Sequence, residues 1–378
     1  MQLTSRQINY CMECGVCTGS CPVSQADERF SPRQIIKRTL VHPKEDLAFN
    51  RHVWSCLTCA RCSDRCPVGI DFPEFIRSYR GKAQDVGNLP RESHHGIFQS
   101  LARLQTHDLN QKRTAWAEEA GSIKKSGEYY FFSGCLPFFQ TVFRYLELDC
   151  LSQARSIIKL LNAMGIEPAM SDQERCCGHD ALWNGNVELF RSLGEKNLEV
   201  IKETGAKKVL FSCPEGYLTF KRHYPEYFGE LPFEVIHISE LLAQELPKAD
   251  VAFKPSENGV LTYHDPCRLG RWSGIYEAPR ELLRLIPGVQ LQEMQRNREN
   301  ALCCGTTGWM ECSACSKAMQ LERLEEARQT GASSLITSCP KCQIHFSCAL
   351  KNTDFELGIK DIYTALAEAV EERAAQSA

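Results

Sequence analysis

The sequence predicts an α/β protein, in which a small helical N-terminal domain precedes two duplicated α/β domains, each carrying a Cys-Cys-Gly signature. Three observations predict it. From residue 128 onward, strand-length apolar runs alternate with helical stretches, the pattern of parallel sheets covered by helices. A seventeen-residue segment ending at Pro214 recurs at Pro340 with eight identical positions. Of the 21 cysteines among the 378 residues, 17 also fall in repeated motifs. With 43% hydrophobic residues the chain can build sizeable cores, and its length suits two or three domains.

Taken in order, residues 1–80 hold eight cysteines among short polar helical segments and turn signals such as Ser31-Pro32. Little apolar material is available there, so bound cofactors are expected to hold that part together. Residues 81–127 contain no cysteine, are polar and helix-prone, and carry Pro90 and Gly96 as breakers, as a connector would. The first repeat, 128–258, predicts strands at Tyr129–Ser133 and Lys208–Ser212 with helices over Leu146–Met164 and Val187–Glu203. The second, 259–378, predicts strands at Val260–His264 and Ser334–Ser338 with helices over Pro279–Leu285 and Ser316–Gln329. Between the repeats, Leu246–Asn258 has two prolines, several charges and a following Gly259, which reads as a linker.

Charge and compartment narrow the function. Forty-four basic against 47 acidic residues give a net charge of -3, so no broad field favours a nucleic-acid backbone as partner. Met1 to Arg6 show no apolar run, so no secretory leader is expected and the chain is placed in the cytoplasm, where thiols stay reduced and dense cysteines signal metal ligation. Apolar runs such as Tyr129–Phe132 fall far short of the roughly 18 to 20 residues of a transmembrane helix, so no membrane span is expected. The chain has no G-x-G-x-x-G, so flavin or nicotinamide bound by that motif would belong to a partner.

Cys11, Cys14, Cys17 and Cys21-Pro22 follow C-x2-C-x2-C-x3-C-P, and Cys56, Cys59, Cys62 and Cys66-Pro67 repeat it. This is the bacterial ferredoxin run, in which three close thiolates hold one cubane and the fourth reaches the other. The assignment crosses over: Cys11, Cys14, Cys17 and Cys66 for one [4Fe-4S] cluster, Cys21, Cys56, Cys59 and Cys62 for the second. Structural zinc sites use two C-x-x-C pairs rather than triplets with a distant fourth ligand. The repeats carry a different motif. Copy two has Cys267, Cys303, Cys304, Cys339 and Cys342; copy one has Cys135, Cys176, Cys177 and Cys213, with Gly216 where a fifth cysteine would stand. Cys213 and Cys339 each precede a proline at an expected helix start, which favours thiolate there. Five thiolates exceed the corners of a cubane, so copy two implies an unusual cluster; for copy one the alternatives are a four-thiolate cubane, zinc or no metal. Cys150, Cys312, Cys315 and Cys348 are left without roles, and Cys312 with Cys315 reads as packing. His264 and His345 read as core histidines near ligand cysteines.

Cys-Cys-Gly repeats behind two ferredoxin motifs, with His264-Asp265-Pro266-Cys267-Arg268-Leu269-Gly270-Arg271 and Glu299 through Gly305, resemble the heterodisulfide reductase family in its fused form. The resemblance implies a noncubane [4Fe-4S] cluster at the complete five-cysteine set, and family members use two such clusters across a disulfide substrate. Only copy two matches that set. The expected function is therefore an iron-sulfur electron-transfer subunit of an anaerobic redox complex, with disulfide reduction as a narrower option. The expected partner is a flavin- and iron-sulfur-containing heterodisulfide reductase A-like protein. The alternatives are the iron-sulfur subunit of a glycolate, lactate or glycerol-phosphate oxidoreductase, which passes electrons from a flavin subunit to quinone, and a zinc scaffold.

Overall fold

A computed structural model describes residues 8–42, 48–256, 259–351 and 353–371. The Met1 to Arg6 segment and Asn258, the end of the expected linker, lie outside them. Short aromatic and aliphatic runs form two wholly parallel sheets. The first has order β1-β2-β3, with β1 at Tyr129–Phe132, β2 at Lys208–Phe211 and β3 at Glu234–His237. Lys208 stands opposite both Tyr129 and Glu234, which sets the register. The second contains β4 (Val260–His264), β5 (Gln290–Leu291), β6 (Ser334–Thr337) and β7 (Gly358–Asp361), in the order β5-β4-β6-β7. Its β4-β6-β7 core repeats β1-β2-β3, and β5 widens it by one strand. After their first residues β1, β2, β4 and β6 are buried, as strands covered on both faces must be.

The helix expected over Leu146–Met164 starts six residues late, at Ser152, and ends at Ala163. Glu147 adopts a left-handed φ of 57°, and the Asp149 carboxylate accepts from Leu151 N–H, so the chain turns before the helix can begin. Val187–Thr204, Glu277–Arg284 and Ala314–Arg328 match their expected helices to within two residues. The pattern of apolar residues does not announce β3, β5 and β7, which are short and partly polar.

The two repeats share a core rather than hanging on a tether. Phe131 and Leu210 of the first sheet, Leu261 and Ile336 of the second, and Ile157 and Leu366 from the covering helices belong to one apolar cluster. The supposed linker is pinned: Leu246 is buried, Phe253 bridges to Val370, and Lys254 N–H donates to Ala369 O at 2.8 Å. The connector is likewise packed. Phe98, on the helix Ile97–Leu104, stacks on Trp309 at 4.3 Å between ring centroids.

In the N-terminal part, Ser31 and Asp71 cap the helices Pro32–Val41 and Phe72–Asp85, each with proline in the first turn. The second helix runs on past residue 80. Its Arg80 is fully buried and donates to the carbonyls of Val53, Trp54 and Cys56 and, from the other side, of Trp183. One guanidinium thus ties the second ferredoxin motif to the first repeat.

Candidate metal centres

The two ferredoxin motifs fold alike. In the first, Glu13 and Gly15 have left-handed φ values of 50° and 81°; in the second, Thr58 and Ala60 have 48° and 63° at the same offsets. These alternating turns curl the backbone round the sulfurs, and Thr58 N–H donates to Cys56 Sγ at 3.4 Å. One cavity is lined by Cys11, Cys14, Cys17 and Cys66, and also by Cys62. A second is lined by Cys21, Cys56, Cys59 and Cys62. Burial pushes the Cys21 thiol up to about 12 and also raises Cys62 well above the ordinary thiol value, so both sulfurs favour the thiol unless a metal takes the proton's place.

In copy two the five sulfurs form one patch. Cys303 is in hydrogen-bond contact with Cys267 and Cys304, and Cys342 with Cys304 and Cys339. Cys267 follows β4, and Cys339 follows β6 and caps the helix Pro340–Leu350, so both lie beyond the carboxyl ends of parallel strands. His264 and His345 are buried beside Cys304; burial pushes them down to about 3 and about 4, so both are neutral. His264 Nδ1 accepts from Arg323 Nε at 3.2 Å.

In copy one, Cys135 Sγ lies 3.6 Å from Cys176 Sγ, Cys176 contacts Cys177, and Cys213 caps the helix Pro214–Leu218 after β2. A Cβ at Gly216 would lie 4.0 Å from Cys177 Sγ but only 3.2 Å from the Phe211 ring. In copy two the counterpart of Phe211 is Thr337, and Cys342 stands where Gly216 does. The phenyl ring crowds the first atom of any side chain placed at Gly216.

Neighbouring sets feel one another. Cys303 of copy two also contacts Cys59 of the second ferredoxin motif, and Cys213 of copy one feels the charge of Cys339. Two arginines to which the sequence motifs assign no role fasten the first junction. Arg268 donates to Thr58 O at 2.9 Å and Thr58 Oγ1 at 2.7 Å, while Arg271 donates to Cys59 O at 2.8 Å and Ala301 O at 2.6 Å. With its hydrogen bond from Cys303 and the nearby Arg271, Cys59 is pulled down to about 5. At the second junction, Lys341 of Cys339-Pro-Lys-Cys342 meets Glu215 of Cys213-Pro-Glu-Gly216 at 2.5 Å and Asp180 at 2.6 Å. Burial opposes the Lys341 ammonium, but the two carboxylates outweigh it and raise its pKa. His179, Asp180 and Glu215 have ligand atoms within 4.8 Å of one another, yet Lys341 already supplies the positive charge there. Repeat alignment carried the signal for this pair, because Lys341 and Glu215 occupy equivalent positions.

Of the remaining cysteines, Cys150 is buried in the core, Cys312 is exposed, and Cys315 and Cys348 are half-buried. The Cys315 thiol donates to Ala26 O at 3.7 Å. Among the described residues no helix is long and apolar enough to cross a membrane.

All-sulfur donor sets on ferredoxin turns and at the ends of parallel strands fit iron-sulfur chemistry and define an iron-sulfur oxidoreductase subunit. A 4Fe-4S dicluster domain family matches residues 7–70, and a cysteine-rich domain family of the Cys-Cys-Gly type matches 129–221 and 261–347. The chain belongs to the heterodisulfide reductase family, in its D-like branch. It is 30% identical to the D-type polypeptide of the dihydromethanophenazine:CoB–CoM heterodisulfide reductase of Methanosarcina barkeri, over 96% of this chain and 94% of the relative. It is 28% identical to the EtfAB:quinone oxidoreductase of Syntrophomonas wolfei, over 96% of this chain and 58% of that protein. The probable iron-sulfur-binding oxidoreductase FadF of Bacillus subtilis is also 28% identical, over 95% and 59%. A solved structure of a hypothetical protein from Helicobacter pylori shares the fold, with TM-score 0.59 at 12% identity over 91% of this chain and 67% of its own.

Proposed function

We propose that the chain is the electron-transfer subunit of a cytoplasmic heterodisulfide-reductase-like complex. Two cubane [4Fe-4S] clusters would sit at Cys11, Cys14, Cys17, Cys66 and at Cys21, Cys56, Cys59, Cys62. A noncubane [4Fe-4S] cluster would be held by Cys267, Cys303, Cys304, Cys339 and Cys342, and a four-thiolate cubane by Cys135, Cys176, Cys177 and Cys213. Such clusters supply one-electron steps. What supports the reading is that neighbouring sulfur sets feel one another, Cys59 with Cys303 and Cys213 with Cys339. The protein's own part is to hold the junctions rigid, through Arg268 and Arg271 at one and Lys341 with Glu215 at the other.

Electron transfer suits the chain better than disulfide cleavage, because the Lys341–Glu215 ion pair and Phe211 take up space beside the copy-one sulfurs. The partner would be a flavin- and iron-sulfur-containing heterodisulfide reductase A-like protein. A second reading, transfer from a flavin subunit toward quinone, draws support from the relative named EtfAB:quinone oxidoreductase. Anaerobic purification with the native partners tests both: co-purification of the A-like protein upholds the first, and co-purification of a flavin dehydrogenase upholds the second. A colourless, zinc-loaded chain would defeat both.

A further inference from the structure

The two ferredoxin motifs curl alike, but they sit in different charge surroundings. Three arginines from other segments donate to the carbonyls of the second turn: Arg80 Nη2 to Cys56 O at 2.6 Å, Arg268 Nη1 to Thr58 O at 2.9 Å and Arg271 Nε to Cys59 O at 2.8 Å. A fourth, Arg61, belongs to the motif itself and is among the residues around the cavity of Cys21, Cys56, Cys59 and Cys62. Its Nε and Nη1 are buried without a hydrogen-bond partner. Four other buried arginines have carboxylate partners: Arg77 with Glu74, Arg113 with Glu174, Arg280 with Asp265 and Arg323 with Glu326. Among the described residues, Arg61, Arg80, Arg268 and Arg271 form no salt bridge. The first motif differs at the same offsets. Val16, 43% exposed, stands where Arg61 does, and Glu13 stands where Thr58 does and pairs with Lys37 at 3.1 Å. One guanidinium, that of Arg33, reaches its turn, at Glu13 O, and Cys14 is exposed to water.

Burying a cation without a carboxylate is costly unless another anion stands beside it. At the second motif that anion is the sulfur set. Burial raises the Cys56 thiol and the charges of Arg80 and Arg268 oppose it; the Cys59 thiol, held down first by its hydrogen bond with Cys303, is held down further by Arg271 and Arg61. The copy-one sulfurs feel both signs, Arg113 with Asp180 at Cys135 and Glu215 with Lys341 at Cys213. An added electron is one more negative charge, which positive charge held close in a dry site favours.

We propose that Arg61, Arg80, Arg268 and Arg271 together draw the first electron that enters the chain to the second ferredoxin set, making it the holding point from which copy two is supplied. The inference rests on the electron-carrier reading above: the flavin- and iron-sulfur-containing partner is oxidised by one electron as the set is reduced by one. Arg61 separates charge from fastening, because among the described residues its guanidinium holds no carbonyl. Dithionite titration of the anaerobic full chain, followed by electron paramagnetic resonance, tests it, with Cys21→Ser marking the signal of the second set and Cys11→Ser that of the first. In the parent the second set should be reduced before the first. Arg61→Gln should make that reduction about tenfold less favourable, about 59 mV for one electron, and leave the first set unmoved. Arg61→Lys, which keeps the charge, should stay within about threefold of the parent. Earlier reduction of the first set, an unmoved potential in iron-loaded Arg61→Gln, or a lysine variant that falls as far as the glutamine one would overturn the proposal and leave the electron-carrier reading standing. A chain without iron would defeat that reading and the proposal with it.

Discussion

The two Cys-Cys-Gly repeats share a strand order and place their cysteines alike, yet they differ at the few positions that decide what each can hold. Copy two has small Thr337 beneath its site and Cys342 as a fifth sulfur; copy one has Phe211 and Gly216. A second difference lies one strand further along. His237 at the end of β3 and Asp361 at the end of β7 occupy the same register against β2 and β6, and both are buried. Duplication conserved the frame, because sheet register and strand burial leave little freedom. The ends of the strands were free to diverge, because their side chains meet a ligand or a helix start rather than the shared core.

The comparison breaks most visibly through metal. Cys303→Ser with Cys304→Ser, and Cys176→Ser with Cys177→Ser, should each remove about four of roughly 16 irons per chain, at four per cluster. Electron paramagnetic resonance of the reduced protein should lose the signal of the special centre only in the copy-two pair. Loss of the same signal from both would make the repeats equivalent.

Next in size is the junction between them. Lys341→Met leaves buried Glu215 and half-buried Asp180 without their cation, which should cost about 3 kcal/mol in denaturant unfolding. Adding Glu215→Gln should recover part of that loss. A single variant as stable as the parent would show that the pair does not fasten the repeats.

Gly216→Cys alone should lose about 1–3 kcal/mol, since its Cβ crowds the Phe211 ring. With Phe211→Thr the crowding is relieved, and the double variant should give copy one a fifth sulfur and a spectrum like that of copy two. An unchanged spectrum would mean that more than one ring and one thiol separate the sites.

The smallest effects are opposite pH trends. Burial pushes His237 down to about 3, so the stability it contributes is present above the ordinary histidine value and is lost as pH falls from about 6.5 toward 3. Burial pushes Asp361 up to about 7, although its carboxylate accepts from Tyr363 N–H and Thr364 N–H. Its contribution is present below about 3.8 and is lost as pH rises toward 7. In thermal melts between about pH 4 and 6.5, where the two windows overlap, His237→Gln should remove a loss of stability on acidification and Asp361→Asn a loss on the rise toward neutral pH; shifts of the same sign in both would remove the distinction.

Much of the site is legible in the sequence, for a local reason. Thiolate spacing, the prolines after Cys21, Cys66, Cys213 and Cys339, and the in-register repeat are short-range features that the sequence spells directly. The long covering helices and the central strands are legible too, because burial on a helical or strand period leaves a continuous imprint. The two-residue β5 and the partly polar β3 and β7 leave none, and Glu147 stops a helix whose composition would have let it start earlier. What only the tertiary structure decided is how the sets are joined. Arg268 and Arg271 reach across more than two hundred positions to Thr58 and Cys59, Arg80 clasps two domains, Lys341 meets Glu215, and Trp309 is held against Phe98. Each depends on where distant backbone segments come to rest, and side-chain charge or aromaticity alone does not name its partner. Chemistry was written in the spacing of the cysteines; which sulfur sets lie beside one another was set by packing.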